Sequence, residues 1–371
     1  MTLTMRTTHL LFTSTALCSL LLSCSGPEQP STEMSAGPAP DSGTVATPTP
    51  PDPDAMAVTA ENFCRAETDM YFGMLVKEQG LGVLKHERDA VAVDKQTVVR
   101  TNRDTRYSSG VFDLDAGPVT LTLPDPQGRF MSLLAIDQDH YALQVDYAPG
   151  TFTFTREQVG TRYLALLIRT FVDPTDTKDV AAVTGLQDRI AIAQPGGPGT
   201  FEVPKWDMAG QQKVREALAT LGETLPEFDR AFGRRDQVDP LRHLIGTARG
   251  WGGNPDEAAR YIGATPEQND GTVPHVLRVK DVPVDGFWSI TVYNEKGFYE
   301  APENAISVNN MTAVKDADGA VTIHFGGDPA LPNHLRIMPG WNYTVRMYRP
   351  RKEILDGSWK FPEATAVRYT E

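Results

Sequence analysis

Cysteine is nearly missing from this chain: among 371 residues only Cys18, Cys24 and Cys64 occur. So few thiols exclude a disulfide framework and a multi-cysteine metal site. Positive charge is scarce as well. Thirty-five Lys plus Arg stand against 48 Asp plus Glu, a net charge of -13, and no Lys/Arg tract occurs. Nucleic acid is thereby excluded as a partner, because neutralising phosphates needs clustered cations. Catalytic signatures are absent too. The chain has no Gly-x-Ser-x-Gly elbow, no Ser-x-x-Lys and no His-Glu-x-x-His, so the usual serine-hydrolase and zinc-protease readings fail. The cluster from Pro195 to Gly199 lacks the Gly-Lys-Ser/Thr of a phosphate loop and reads as a linker. Asp316-Ala-Asp-Gly319 has too few ligands for calcium and reads as a hairpin turn. No cofactor and no metal is expected.

What is present begins with an address. Arg6 is the only charge ahead of an apolar run from Leu10 to Leu22, too short to span a bilayer as a helix and right for a signal peptide over residues 1–23. Leu21-Leu22-Ser23-Cys24 resembles a bacterial lipobox. That resemblance implies acylation of Cys24, cleavage before it and membrane lipid as a partner; Ser25 in the next position resembles the pattern exported to the outer membrane. Several acyl chains anchor stably where one does not. Residues 25–56 hold eight Pro and five acidic residues with no Lys or Arg, the composition of an extended, disordered tether. The body from 57 onward keeps a charge of -9, so lipid rather than charge must hold it. The expected place is the bacterial envelope, with the body in the periplasm or on the surface. Cys64, the one thiol left in the body, sits at helical spacing among apolar residues and reads as a small buried hydrophobe.

Periodicity divides the body. Phe63, Ala66, Met70 and Met74 predict a helix that Thr59 caps. Alternation then predicts strands over 119–123, 130–136, 141–145, 151–155 and 163–171, with Gly/Pro turns at short intervals. Val180, Val183, Leu186 and Ile190 mark a second helix, and Val214, Leu218 and Leu221 a third. Short apolar turns are expected around Phe228, Leu241 and Tyr261. Strand patterns return at 288–293, 321–325 and 342–348. The expectation is a mainly β, α+β protein: two antiparallel β-sandwich, jelly-roll-like domains, 57–193 and 266–371, joined by a helical connector, 194–265.

Asn102-Arg-Asp-Thr-Arg-Tyr107 followed by Phe112-Asp-Leu-Asp-Ala-Gly-Pro118 resembles the domain called DUF1254. Val284-Asp-Gly-Phe-Trp-Ser-Ile-Thr-Val-Tyr293, the Asp318-Gly319 turn and Tyr348-Arg-Pro through Trp359 resemble its usual companion, DUF1214. With Gly250-Trp-Gly-Gly-Asn-Pro255 these motifs span nearly the whole body. The resemblance implies two jelly-roll-like domains and no settled activity. Arg106 departs from it, since relatives more often carry an apolar residue there.

Two constellations carry chemistry. Asp104, and Asp137 with Asp139 and His140, are paired carboxylates beside an imidazole that divide acid and base roles if they converge; Asn102, Arg103 and Tyr107 flank Asp104 as ligand-binding groups. The alternative is that the carboxylates cap turns and Arg103 ties them together. The second constellation is aromatic: Trp251, Trp288, Tyr293, Trp341, Tyr343 and Trp359, either a face for flat ligands such as glycans, with Trp288 and Tyr293 foremost, or core. Two functions follow. One is an envelope lipoprotein that binds a polar surface or polymer ligand, a glycan among them, through its sandwiches. The other is an envelope hydrolase using carboxylates on a glycan, amide or ester. Convergence of Asp104 with the 137–140 turn would favour the enzyme.

Overall fold

The computed structural model describes residues 52–96, 100–225, 227–300 and 302–367. The leader, Cys24 and the tether up to residue 51 lie outside the described residues. Residues 52–56, expected in the tether, belong to the body instead: Asp52 pairs with Lys205, and Met56 exchanges backbone bonds with Lys205 (2.8 Å) and Asp207 (2.9 Å).

The first β domain comprises β1 (Lys85–His86), β2 (Thr105–Asp113), β3 (Val119–Leu123), β4 (Met131–Asp137), β5 (Ala142–Tyr147), β6 (Gly150–Phe154), β7 (Tyr163–Phe171) and β8 (Ala191–Ala193). They form a five-stranded sheet, β1-β2-β7-β4-β5, over a three-stranded one, β6-β3-β8. The central strand β7 is buried throughout, which its unbroken Leu-Ala-Leu-Leu-Ile run requires. Leu164, Leu166 and Ile168 face the sandwich core with Leu121 and Phe154. Ala165 and Leu167 face the opposite way, onto helix α1 (Phe63–Gln79) and Trp251.

Helix α1 is covered on two sides, because Phe72 and Leu75 meet the sheet while Phe63 and Ala66 meet α4 (Met208–Gly222) and α5 (Pro240–Gly250). Two of its acids are therefore buried, and each is satisfied. Glu67 takes Arg215 (2.7 Å) and Gln211 (2.7 Å); Asp69 takes Gln138 (2.8 Å) and the Trp206 indole (3.0 Å). Thr59 does not cap this helix. Asn62 precedes its first turn without a side-chain capping bond, its Oδ1 accepting from Thr59 N–H (2.8 Å), and the Thr59 hydroxyl accepts from Glu61 N–H at 3.3 Å. The short α2 (Arg156–Val159) and α3 (Thr177–Gln187) stay with the first domain.

The second β domain holds β9 (Ala259–Ala264), β10 (His275–Val279), β11 (Trp288–Tyr293), β12 (Ser307–Asn309), β13 (Val321–Phe325), β14 (His334–Leu335), β15 (Asn342–Tyr348), α6 (Lys352–Leu355) and β16 (Thr365–Ala366). Its sheets run β12-β11-β15-β9 and β14-β13-β10-β16, antiparallel except for the short β13–β14 pair. The boundary expected at 265 is corrected to lie before β9, which pairs along its whole length with β15. In β15, Tyr343, Val345 and Met347 enter the core. The alternate residues Asn342, Thr344, Arg346 and Tyr348 point away from that core and yet are buried: this polar face meets the first domain.

Candidate functional site

The polar face of β15 and β11 closes on the strand entrance of β2. Asn102 Nδ2 donates to the Tyr348 hydroxyl (2.8 Å), and Asn102 Oδ1 accepts from Asp104 N–H (2.9 Å). Arg346 donates to Thr291 Oγ1 (2.9 Å), the Arg100 carbonyl (2.9 Å) and the Tyr293 hydroxyl (2.6 Å), which in turn donates to the Thr101 carbonyl. Arg169, on β7, donates to Asn254 Oδ1 (3.1 Å) and the Gly252 carbonyl (3.0 Å) and lies 5.5 Å from the Tyr107 ring centre. Segments 102–107, 250–255, 288–293 and 342–348, far apart in sequence, thus meet in one buried network. Burial works against the charge of Arg169 and Arg346, but the surrounding phenols hold both guanidiniums above their ordinary range. Burial raises the Asp104 carboxyl, against the pull of Ser289, Arg346 and Asn309, and sends the Tyr348 hydroxyl well above its usual value.

The network contains Asn102, Asp104, Tyr107 and Tyr293 from the expected set, with Arg103 beside it, donating to the Val91 carbonyl (3.2 Å) and lying over the Tyr299 ring. It does not contain the 137–140 turn. Asp104 stands opposite Val172, past one end of β7, whereas Asp137 pairs with Leu164 near the other. Eight residues at about 3.3 Å each separate them by roughly 26 Å. In that turn the Asp137 carboxylate accepts from Asp139 N–H and Tyr141 N–H, both at 2.9 Å, and burial pushes its pKa up to about 6. Asp139 pairs with Arg65 (2.7 Å) and Arg235 (3.1 Å). His140 has no ring nitrogen to spare. Nε2 accepts from Gly252 N–H (2.8 Å); the Thr247 hydroxyl gives its proton to the His243 carbonyl, so Nδ1–H donates to Thr247 (2.8 Å). The convergence that acid/base catalysis needs is absent from these four residues.

Trp288 is corrected to a core residue: it is 4% exposed and packs edge-on against Phe361. Trp251, Tyr293, Trp341 and Tyr343 are likewise buried. Arg106, the departure from the family pattern, donates to the Arg88 carbonyl (3.1 Å). The Cys64 thiol donates to Thr247 Oγ1, and burial pushes its pKa up to about 11.

Of the six aromatics, Trp359 lines a groove. A groove of about 400 Å³ runs between residues 225–232, the end of α5, the edge strand β9 and residues 354–363. Phe228, Phe232 and Trp359 give it half-buried rings. Asn254 and Tyr261, joined at 3.0 Å, belong both to its wall and to the buried network. Arg260 is clamped by Asp229 (3.0 Å through Nη2) and Asp256 (3.2 Å), and burial raises the Asp256 carboxyl. A larger cleft of about 700 Å³ lies between Asp173–Thr175 and the loops of the second domain, including Asn309 and His334, but no Phe, Tyr or Trp lines it to fix a ligand's face.

The groove was not foreseen, because Phe228 and Tyr261 read only as apolar turns. A signal existed in Asp239-Pro240, a capping Asp before a Pro at the first helical position; the Asp239 carboxylate accepts from Arg242 N–H at 3.0 Å. That start, followed by Leu244, Ile245 and Ala248, marks α5, whose last turn forms one wall.

The family model described as a protein of unknown function, DUF1254, matches residues 81–194, and the one described in the same words, DUF1214, matches residues 258–352. No curated protein matches this chain. The crystal structure of the VPA0106 protein from Vibrio parahaemolyticus is 19% identical, with a TM-score of 0.67, and covers 83% of this chain and 98% of that one. An uncharacterized protein from Burkholderia cenocepacia is 14% identical, with a TM-score of 0.47 over 83% of this chain and 87% of that one. The first of these shares the fold of two β domains with their helical layer. With both domain models matched in order, and their motifs meeting at one buried junction, this chain is a member of the DUF1254/DUF1214 domain-containing proteins.

Proposed function

We propose that this chain is a lipid-tethered binding protein of the bacterial envelope, held to the outer membrane through acylated Cys24, and that its ligand is a polymer segment lying in the groove beside β9. The observation that carries this reading is the groove's chemistry: rings on both walls offer flat apolar faces, while ionised side chains between them offer hydrogen bonds. Such a mixture suits a ligand with one apolar face and polar edges, as a sugar ring has. The hydrolase reading loses its support with the separation of Asp104 from the 137–140 turn, since proton transfer needs groups within hydrogen-bond reach of one substrate.

The test is a glycan and wall-polymer array probed with the purified chain and with Trp359→Ala. Removing one stacking face should weaken binding by about tenfold or more, on the order of 1–2 kcal/mol. Retention of every hit by Trp359→Ala would move the site out of the groove.

A further inference from the structure

Three cations line the groove, and they differ in what holds them. Arg260 is engaged by Asp229 and Asp256. Lys360 is exposed, and no carboxylate lies within ion-pair distance of it or of Arg249 among the described residues. Arg249 is the more informative. Its stem crosses Gly222, where a Cβ would stand 2.6 Å from the Arg249 Cδ. One nitrogen, Nη1, donates to the Ala219 carbonyl at 2.5 Å, and the guanidinium carbon lies 5.5 Å from the Phe228 ring centre. Nε is buried without a partner and Nη2 makes no hydrogen bond. What remains open is therefore Nη2, a charged donor that can take one oxygen of a carboxylate. None of the four acids that line the groove pairs with Arg249, and Glu363 among them is exposed to solvent. Asp229 and Asp256 are held on Arg260, and Glu227 lies 3.7 Å from Arg242.

We infer that the groove recognises an acidic ligand, whose carboxylate accepts from Nη2 of Arg249 while its apolar face lies against Phe228, Phe232 and Trp359. This deepens the binding function proposed above and rests on it. Lys360 adds a second, solvent-exposed cation, worth less because it is screened. The shared chemistry is a carboxylate joined to a flat or flexible apolar body; an acidic sugar unit and a fatty acid both supply it.

The probes are trigalacturonate, its methyl ester and decanoate, titrated calorimetrically into the full chain and into Arg249→Gln, Lys360→Ala and Trp359→Ala. Gln at 249 keeps a donor for the Ala219 carbonyl and removes the charge. At least one acid should bind, the neutral ester about tenfold more weakly than its acid. Arg249→Gln should erase that preference, with Lys360→Ala lowering acid affinity about threefold. Binding by trigalacturonate assigns the source to an acidic glycan, and by decanoate alone to an amphiphile. Equal binding of acid and ester overturns the inference and leaves the groove standing; so does an Arg249→Gln chain that melts earlier yet keeps its preference. Acid binding that survives Trp359→Ala removes the groove itself, and no binding by either acid overturns the inference outright.

Discussion

Asp104 and Asp137 are carboxylates of similar burial, 1% and 4% exposed, set in opposite kinds of surroundings. Asp104 faces the second domain, where Asn309 Nδ2 donates to it at 3.4 Å and Arg346 lies near. Asp104→Ala should therefore cost about 3 kcal/mol, as removal of one partner of a buried charge does, and leave groove selectivity unchanged; urea unfolding and the probe titrations read the two effects. Asp137 closes its own turn, and its folded pKa near 6 exceeds the ordinary 3.8. A raised pKa contributes stability below the unfolded value and loses it as pH rises through the folded one. Asp137→Asn, which keeps the accepting oxygen, should gain on the native chain by up to about 3 kcal/mol above pH 7, with the gain vanishing near pH 4. His140 behaves inversely: burial and His243 hold its pKa well below 6.5, so its contribution is present above that value and is lost as pH falls. At this scale the sequence was readable where a motif named the residue, as for Asn102 and Tyr293. It was silent on Arg249, whose meaning comes from Ala219 and Gly222 on another helix.

Among the elements, the strands were the most legible. Tyr163–Phe171 was read to the residue, and 119–123, 288–293 and 342–348 likewise, because alternation or an unbroken apolar run survives whatever the sheet packs against. Helix α5 and strand β9 were missed for different reasons. In β9 the apolar residues are interrupted by Arg260 and Gly263 and do not alternate, whereas α5 keeps an apolar stripe of Leu244, Ile245 and Ala248 that a reading centred on Leu241 passes over. The Gly252-Gly253 step shows how such elements shape the site. A Cβ at Gly253 would fall 2.4 Å from the Phe232 ring, and one at Gly246, on α5, 3.2 Å from the same ring. Gly253→Ala should therefore push Phe232 toward the groove, costing about 1–3 kcal/mol and weakening ligand binding; loss of stability with unaltered affinity would show that the ring yields elsewhere.

At the scale of the molecule, the two β domains are joined by a buried face that neither could leave exposed unfilled: Phe171, Phe287 and Tyr348 pack there beside Arg169 and Arg346. Separated, each domain would present unpaired guanidiniums and phenols, so a single cooperative transition is expected by calorimetry, and two resolved transitions would show a looser junction. Sequence patterning disclosed two sandwiches but not this union, since the alternation of Asn342, Thr344 and Arg346 with core residues in β15 carries no mark of what covers them. The described chain enters the body where Met56 exchanges bonds with Lys205 and Asp207, at the N-terminal end of α4. The groove begins beyond the other end of that helix, at Leu225, some 15 residues or about 22 Å away. Any pull arriving along the N-terminal segment is borne by the Met56 pairing and the helical layer, so the load path and the groove sit at opposite ends of one rod. Under the tethering proposed above, a pull on that end would meet the Met56 pairing before the groove.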